Sequence, residues 1–126
     1  VSHTVLIADD NVAIRRGLRD LFQSEGDFDV CGEAENGREA VEKAQQLHPD
    51  LILLDLSMPV MNGLEAAGIL KNLMSNVPVI IYSAHQFPLS KKEADSAGIW
   101  AWISKSEHVS VLLKEARSLV HPPLPS

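Results

Sequence analysis

The chain has one cysteine, Cys31, so no internal disulfide can form, and a disulfide-stapled secreted scaffold is excluded. A lone thiol suits a reducing cytosol, and in its apolar segment Cys31 reads as a small buried or half-buried side chain. No uninterrupted apolar run reaches the length needed to span a bilayer. The opening Val1-Ser2-His3-Thr4 lacks the basic and apolar regions of a signal peptide, and a first residue of Val rather than Met fits a chain trimmed at its start. Basic residues are few: 11 Lys and Arg stand against 17 Asp and Glu, for a net charge of −6. They are also scattered, which argues against a nucleic-acid surface, because phosphate binding needs several cations on one face. The five histidines (3, 48, 85, 108 and 121) show no ligand spacing, so a zinc site is not expected. Internal repeats and low-complexity segments are absent too.

What is present is a length of 126 residues, 45% of them hydrophobic, enough for one domain with a real core. Strand-like and helix-like patterns alternate five times along it. Thr4–Ala8 is a β-rich run, and Ile14, Leu18, Leu21 and Phe22 follow at helical spacing up to Gly26. Phe28–Ala34 has the mixed character of an edge strand. Asn36 with Glu39 marks a helix start, Ala40, Val41, Ala44 and Leu47 line one face of that helix, and Pro49 closes it. Leu51–Leu54 and Pro78–Tyr82 are continuously apolar, as strands covered on both faces should be. Asn62 with Glu65 opens a third helix to about Met74, and Ser90 with Glu93 a short fourth one that stops at Gly98. Ile99–Ile103 is the last strand. Val109, Leu112, Leu113, Ala116 and Val120 form the stripe of the last helix, and the proline-rich residues 121–126 read as a linker or C-terminal tail after a domain of residues 1–120.

Alternation of this kind predicts an α/β fold: a doubly wound, five-stranded parallel sheet with five helices. In such sheets ligands bind beyond the carboxyl ends of the strands. Strand one ends in Asp9 and Asp10, strand three in Asp55, strand four in Ser83 and strand five in Lys105. Three clustered carboxylates repel one another unless a cation neutralises them. Mg²⁺ suits them, since it takes a few carboxylate oxygens, keeps several waters and completes its shell with phosphate. A carboxylate beside such a metal can attack phosphorus, while an ammonium group neutralises the equatorial oxygens.

The segments Ile7-Ala8-Asp9-Asp10, Leu53 to Gly63, Tyr82-Ser83-Ala84 and Trp102-Ile103-Ser104-Lys105 resemble the receiver-domain signature of response regulators, over about residues 4–120. Arg15-Arg16-Gly17-Leu18, Val30 to Ala34 and Leu54 to Pro59 are similar, more finely, to receivers of the NarL/FixJ (LuxR-type) helix-turn-helix regulators. The resemblance implies the flavodoxin-like strand order 2-1-3-4-5. It makes Asp55 the phosphorylation site, fed by a sensor histidine kinase. Mg²⁺ would be held by Asp10, Asp55, the Ser57 backbone carbonyl and, through water, Asp9. Lys105 and Ser83 would bind phosphoryl oxygens, with Ser83 and Trp102 as the switch pair. It further implies a cytoplasmic signalling domain rather than a metabolic enzyme. No direct contact with nucleic acid or membrane is expected of it. Its output would be control of transcription through a DNA-binding domain beyond Ser126, with homodimerisation on phosphorylation. Three departures stand out: Ser106 where many receivers have Pro, Trp102 in place of Tyr or Phe, and the unusual stretch Gln86 to Lys92. His85 is a candidate for modulating dephosphorylation, with an inert loop histidine as the alternative. Trp100 and Trp102 share a face of an edge strand, which suits packing under the fourth helix or contact with a partner.

Competing readings are weaker. A receiver that works without phosphorylation sits poorly with an intact acid pair, Asp55, Ser83 and Lys105. A phosphatase with a nucleophilic Asp needs an acid two residues on, where Ser57 stands. A flavodoxin-like cofactor site would be repelled by Asp9-Asp10.

Overall fold

The computed structural model describes residues 2–84 and 90–120. Its elements run β1 (His3–Ala8), α1 (Val12–Ser24), β2 (Phe28–Ala34), α2 (Gly37–Leu47), β3 (Leu51–Leu54), α3 (Gly63–Leu73), β4 (Val79–Ser83), α4 (Lys91–Ser96), β5 (Ala101–Ser104) and α5 (Val109–Val120). The strands form one parallel sheet in the order β2-β1-β3-β4-β5, as expected.

Side chains alternate across each strand, so the sheet builds two cores. Leu6, Ala8, Ile52, Leu54, Val79 and Ile81 face α2, α3 and α4. Val5, Ile7, Leu51, Leu53, Ile80 and Tyr82 face α1 and α5. On the first face the helices present mainly alanines (Ala40, Ala44, Ala66, Ala67, Ala94), which let helix backbones lie close to the sheet. The second is filled by larger groups, among them Phe22 and Phe28 in an edge-to-face pair at 5.1 Å. Arg117 near the end of α5 closes this side. It donates to Asp27 and Glu25 in the α1–β2 connection and lies over the Phe28 ring.

The three helix starts marked in the sequence are capped, and so is α1. Asn11, Asn36, Asn62 and Ser90 each accept an N–H three residues on, and Asn62/Glu65 and Ser90/Glu93 are reciprocal capping boxes. Several boundaries differ from expectation. α2 is closed by His48 in the left-handed conformation, φ 48°, with Pro49 only following it. β5 starts at Ala101 rather than Ile99. The Ile99 N–H goes back to the Ala94 carbonyl at the end of α4, which leaves Trp100 exposed ahead of the strand while Trp102 packs half-buried against the core under α2–α4. Ile14, Leu47 and Val109 sit at the rims of their helical stripes and are exposed. The peptide bonds of the described residues are trans, Lys105–Ser106 included. Cys31 is half-buried, as expected. No helix among the described residues is long and apolar enough to cross a membrane.

Candidate functional site

The sheet delivers its polar residues to one edge by simple backbone logic. Parallel ladders run out at the carboxyl ends, and the next residue of one strand donates to the last carbonyl of its neighbour. Asp9 N–H bonds the Ala34 carbonyl at 3.0 Å, Asp55 N–H bonds Ala8 at 2.9 Å, and Lys105 N–H bonds Ser83 at 2.6 Å. Asp9, Asp55 and Lys105 are therefore each the first residue past a paired strand, with the backbone still held.

One carboxylate oxygen each from Asp9, Asp10 and Asp55 lies within 4.8 Å of the others. The Lys105 ammonium bridges two of them, 3.1 Å from Asp9 Oδ2 and 3.1 Å from Asp55 Oδ1. Asp9 is buried, Asp55 half-buried and Asp10 exposed, so the cluster grades from the core to solvent. An open cavity of about 270 Å³ above it is lined by these acids with Asn11, Ile14, Ser57, Ser83, Ala84 and Lys105.

Burial raises the pKa of Asp55, and the neighbouring charge of Asp9 adds to that, while the Lys105 ammonium pulls it back. Burial works against the charge on Lys105, yet its hydrogen bonds and attraction to Asp9 and Asp55 outweigh that and raise its pKa. The acid cluster thus holds the lysine charged, and the lysine only partly relieves the acids.

Two glycines bring the loop from residue 55 to 63 onto this frame. The Gly63 N–H donates to the Leu56 carbonyl, and a Cβ there would lie 2.3 Å from the Asp55 carbonyl oxygen. The Gly37 N–H, at the start of α2, donates to the Met61 carbonyl, again leaving no room for a Cβ. Between them Val60 has φ 69° and is 75% exposed, a left-handed conformation unusual for a β-branched residue.

Of the residues singled out from the sequence, Asp9, Asp10, Asp55, Ser57, Ser83 and Lys105 line one cavity. Trp102 does not line it, and His85 lies outside the described residues. Three contributors were not anticipated. Asn11, recognisable as an N-cap after the acid pair, donates its N–H to Asp9 Oδ1 at 2.8 Å and accepts from Ile14. Arg15 donates to the Asp9 carbonyl at 2.7 Å, and Glu33 holds Arg15. The donor set is all oxygen, rich in carboxylate and open to water on one side. That chemistry fits a hard divalent cation, and the cluster offers no nitrogen or sulfur ligand among the described residues.

The family model described as response regulator receiver domain matches residues 5–117. Among curated proteins, the chain is 40% identical over 117 residues to a protein-glutamate methylesterase/protein-glutamine glutaminase of Methanosarcina acetivorans, covering 91% of this chain and 33% of that protein. It is 34% identical over 113 residues to the response regulator protein VraR of Staphylococcus saprophyticus, covering 90% and 54%. The chain thus spans about a third to a half of the relatives it matches. Among solved structures, the response regulator domain of Thermotoga maritima CheB superposes with a TM-score of 0.86 at 29% identity, covering 98% of this chain and 100% of that one.

Proposed function

We infer the function from one premise: the chain belongs to the response regulator receiver domain family. It is a signalling domain, and its chemistry follows from the carboxylate edge. Asp55 is the phosphoacceptor. One of its carboxylate oxygens attacks the phosphorus of a phosphohistidine on a sensor histidine kinase. The P–N bond breaks, the imidazole leaves with the electron pair, and an acyl phosphate remains on Asp55. Hydrolysis by water later returns the carboxylate and inorganic phosphate. Beyond this making and breaking of its own phosphoryl bond, the domain is no enzyme.

Asp10, Asp55 and the Ser57 carbonyl would hold Mg²⁺, with Asp9 acting through water. When bound, the ion supplies charge neutralisation for the incoming phosphoryl oxygens. Lys105 releases Asp9 and Asp55 to take a phosphoryl oxygen, and the Ser83 hydroxyl takes another. Ser83 and Trp102 carry the change to the surface of β5 and its flanking helices, a shift between pre-existing packings. Residues 1–120 form this receiver and 121–126 a linker or tail. The domain works in the cytoplasm, where it dimerises on phosphorylation and controls transcription through a DNA-binding output domain.

The observation that carries the reading is the Lys105 ammonium 3.1 Å from both Asp9 and Asp55: a cation held, charged, beside the acid expected to become an acyl phosphate. A small phosphodonor with Mg²⁺ should add one phosphoryl group, seen by intact mass. Asp55→Asn should abolish it. An undiminished adduct in that variant would remove Asp55 from the role.

A further inference from the structure

Asp9 is held at every polar atom. Its N–H donates to Ala34, Oδ1 accepts from Asn11, Oδ2 from Lys105, and its carbonyl accepts from Arg15 Nη1 at 2.7 Å. Asp10 is the opposite case: exposed, its carboxylate receives no hydrogen bond among the described residues. The direction in which that carboxylate points therefore depends on its backbone. A peptide unit is planar, so fixing the Asp9 carbonyl fixes the plane from which the Asp10 Cα departs.

Arg15 is itself well placed for this. Its side chain is only 15% exposed, and its Nε donates to Glu33 Oε1 at 3.0 Å on the neighbouring strand β2. Glu33 is steadied in turn by Arg19 Nη1 at 3.2 Å, and the Glu33 carbonyl accepts from the Lys43 ammonium on α2. A chain of contacts thus runs from α2 and β2 through Glu33 and Arg15 to the peptide between the two acids.

We propose that Arg15, anchored by Glu33, is a positioning residue that orients the Asp9–Asp10 peptide and so sets the affinity of the carboxylate cluster for Mg²⁺. The proposal rests on the reading of Asp10 as a metal ligand. Only a guanidinium can serve, because one nitrogen must bond the carboxylate while another bonds the carbonyl in a fixed fork.

The sign of the effect separates this role from a plain charge effect. A nearby cation repels Mg²⁺, so if Arg15 acted only as a charge, its removal would tighten metal binding. Loss of positioning weakens it. Binding can be read without any phosphoryl transfer, by Mn²⁺ electron paramagnetic resonance with Mg²⁺ as competitor. Arg15→Met should weaken both metals about tenfold or more, the range found when groups that orient metal ligands are removed. Arg15→Lys keeps the charge and one donor and should fall between. Glu33→Ala, which leaves α1 untouched, should weaken binding in the same direction and by the same factor at low and high salt, whereas mere loss of its negative charge would weaken binding only at low salt. It decides the matter if Arg15→Met does not fold by circular dichroism. Asp10→Asn serves as the reference. If it loses metal while folded Arg15→Met and Glu33→Ala bind as tightly as wild type or more so, the positioning role is overturned and the metal site stands. If Asp10→Asn binds like wild type, the metal site itself is wrong and this proposal goes with it.

Discussion

Replacing Lys105 with Met removes the ammonium and keeps most of the stem. In the metal-free protein this leaves Asp9, which is 2% exposed at its side chain, and Asp55, at 11%, facing each other and Asp10 without a counter-charge. Each contact of 3.1 Å is worth about 5 kcal/mol of gross attraction at an effective dielectric of ~20. Desolvation of the ammonium offsets much of that, and breaking a buried pair by removing one partner typically destabilises by about 3–5 kcal/mol. Because the cavity is open and Lys105 is 19% exposed, the lower end applies, about 3 kcal/mol. That lowers Tm by roughly 10 °C in a domain of this size. The assay is urea unfolding at neutral pH, in chelator and then in Mg²⁺. Mg²⁺ at about ten times its Kd stabilises wild type by about 1.4 kcal/mol. It should stabilise Lys105→Met by more, since the ion then supplies charge that the lysine no longer does. The pH signs agree. With its pKa raised, Lys105 contributes fully below its ordinary 10.5 and loses that contribution only as pH climbs through the folded value. The gap to the variant should therefore persist at neutral pH. It should close in acid as Asp55 protonates. Equal urea midpoints in chelator, or equal gains from Mg²⁺, would refute the reasoning.

Two further outcomes follow from the same geometry. Asp55 is raised by burial and by Asp9, so its ionisation weakens the fold. Asp55→Asn should be more stable than wild type at neutral pH without metal, with the advantage vanishing as pH falls below the ordinary 3.8; equal stability throughout a pH series of thermal melts would contradict this. Val60→Gly removes a β-branched side chain from φ 69° at an exposed site. Relief of about 1–3 kcal/mol of strain against about 0.5–1 kcal/mol of added chain entropy gives a small net stabilisation, read as a higher urea midpoint.

The order and type of the ten elements were legible because two periodicities and three caps pointed the same way. Continuous apolar runs at Leu51–Leu54 and Pro78–Tyr82 suited strands covered on both faces, and the structure has them at Leu51–Leu54 and Val79–Ser83. Asn or Ser with Glu three residues later located α2, α3 and α4. Boundaries were harder for a physical reason. Hydrophobicity reports which residues are buried but not where an N–H goes. Ile99 is as buried as any strand residue, yet its N–H belongs to the turn after α4. Likewise Ile14 and Val109 have the right spacing for their helices but lie at the margin of the stripe, where a small rotation about the helix axis decides exposure.

At the site, the sequence could say which residues reach the edge, because strand ends in a parallel sheet must converge there. It could not say how the residues share their charges before any ligand arrives. Lys105, expected to meet phosphoryl oxygens, spans Asp9 and Asp55 in the structure. The same convergence that makes the pocket forces this: carboxylates within 4.8 Å of one another draw in the nearest available cation. Arg15 illustrates the complementary blind spot. Its partner atom is a backbone carbonyl, which every residue possesses, so no pattern of side-chain types can flag the bond. Its place on α1, six residues after Asp9, becomes informative only once Glu33 on β2 is known to hold it in place. Chemistry carried by side chains at strand ends is therefore readable from the chain alone, whereas the groups that aim those side chains through the backbone emerge only from the packed structure.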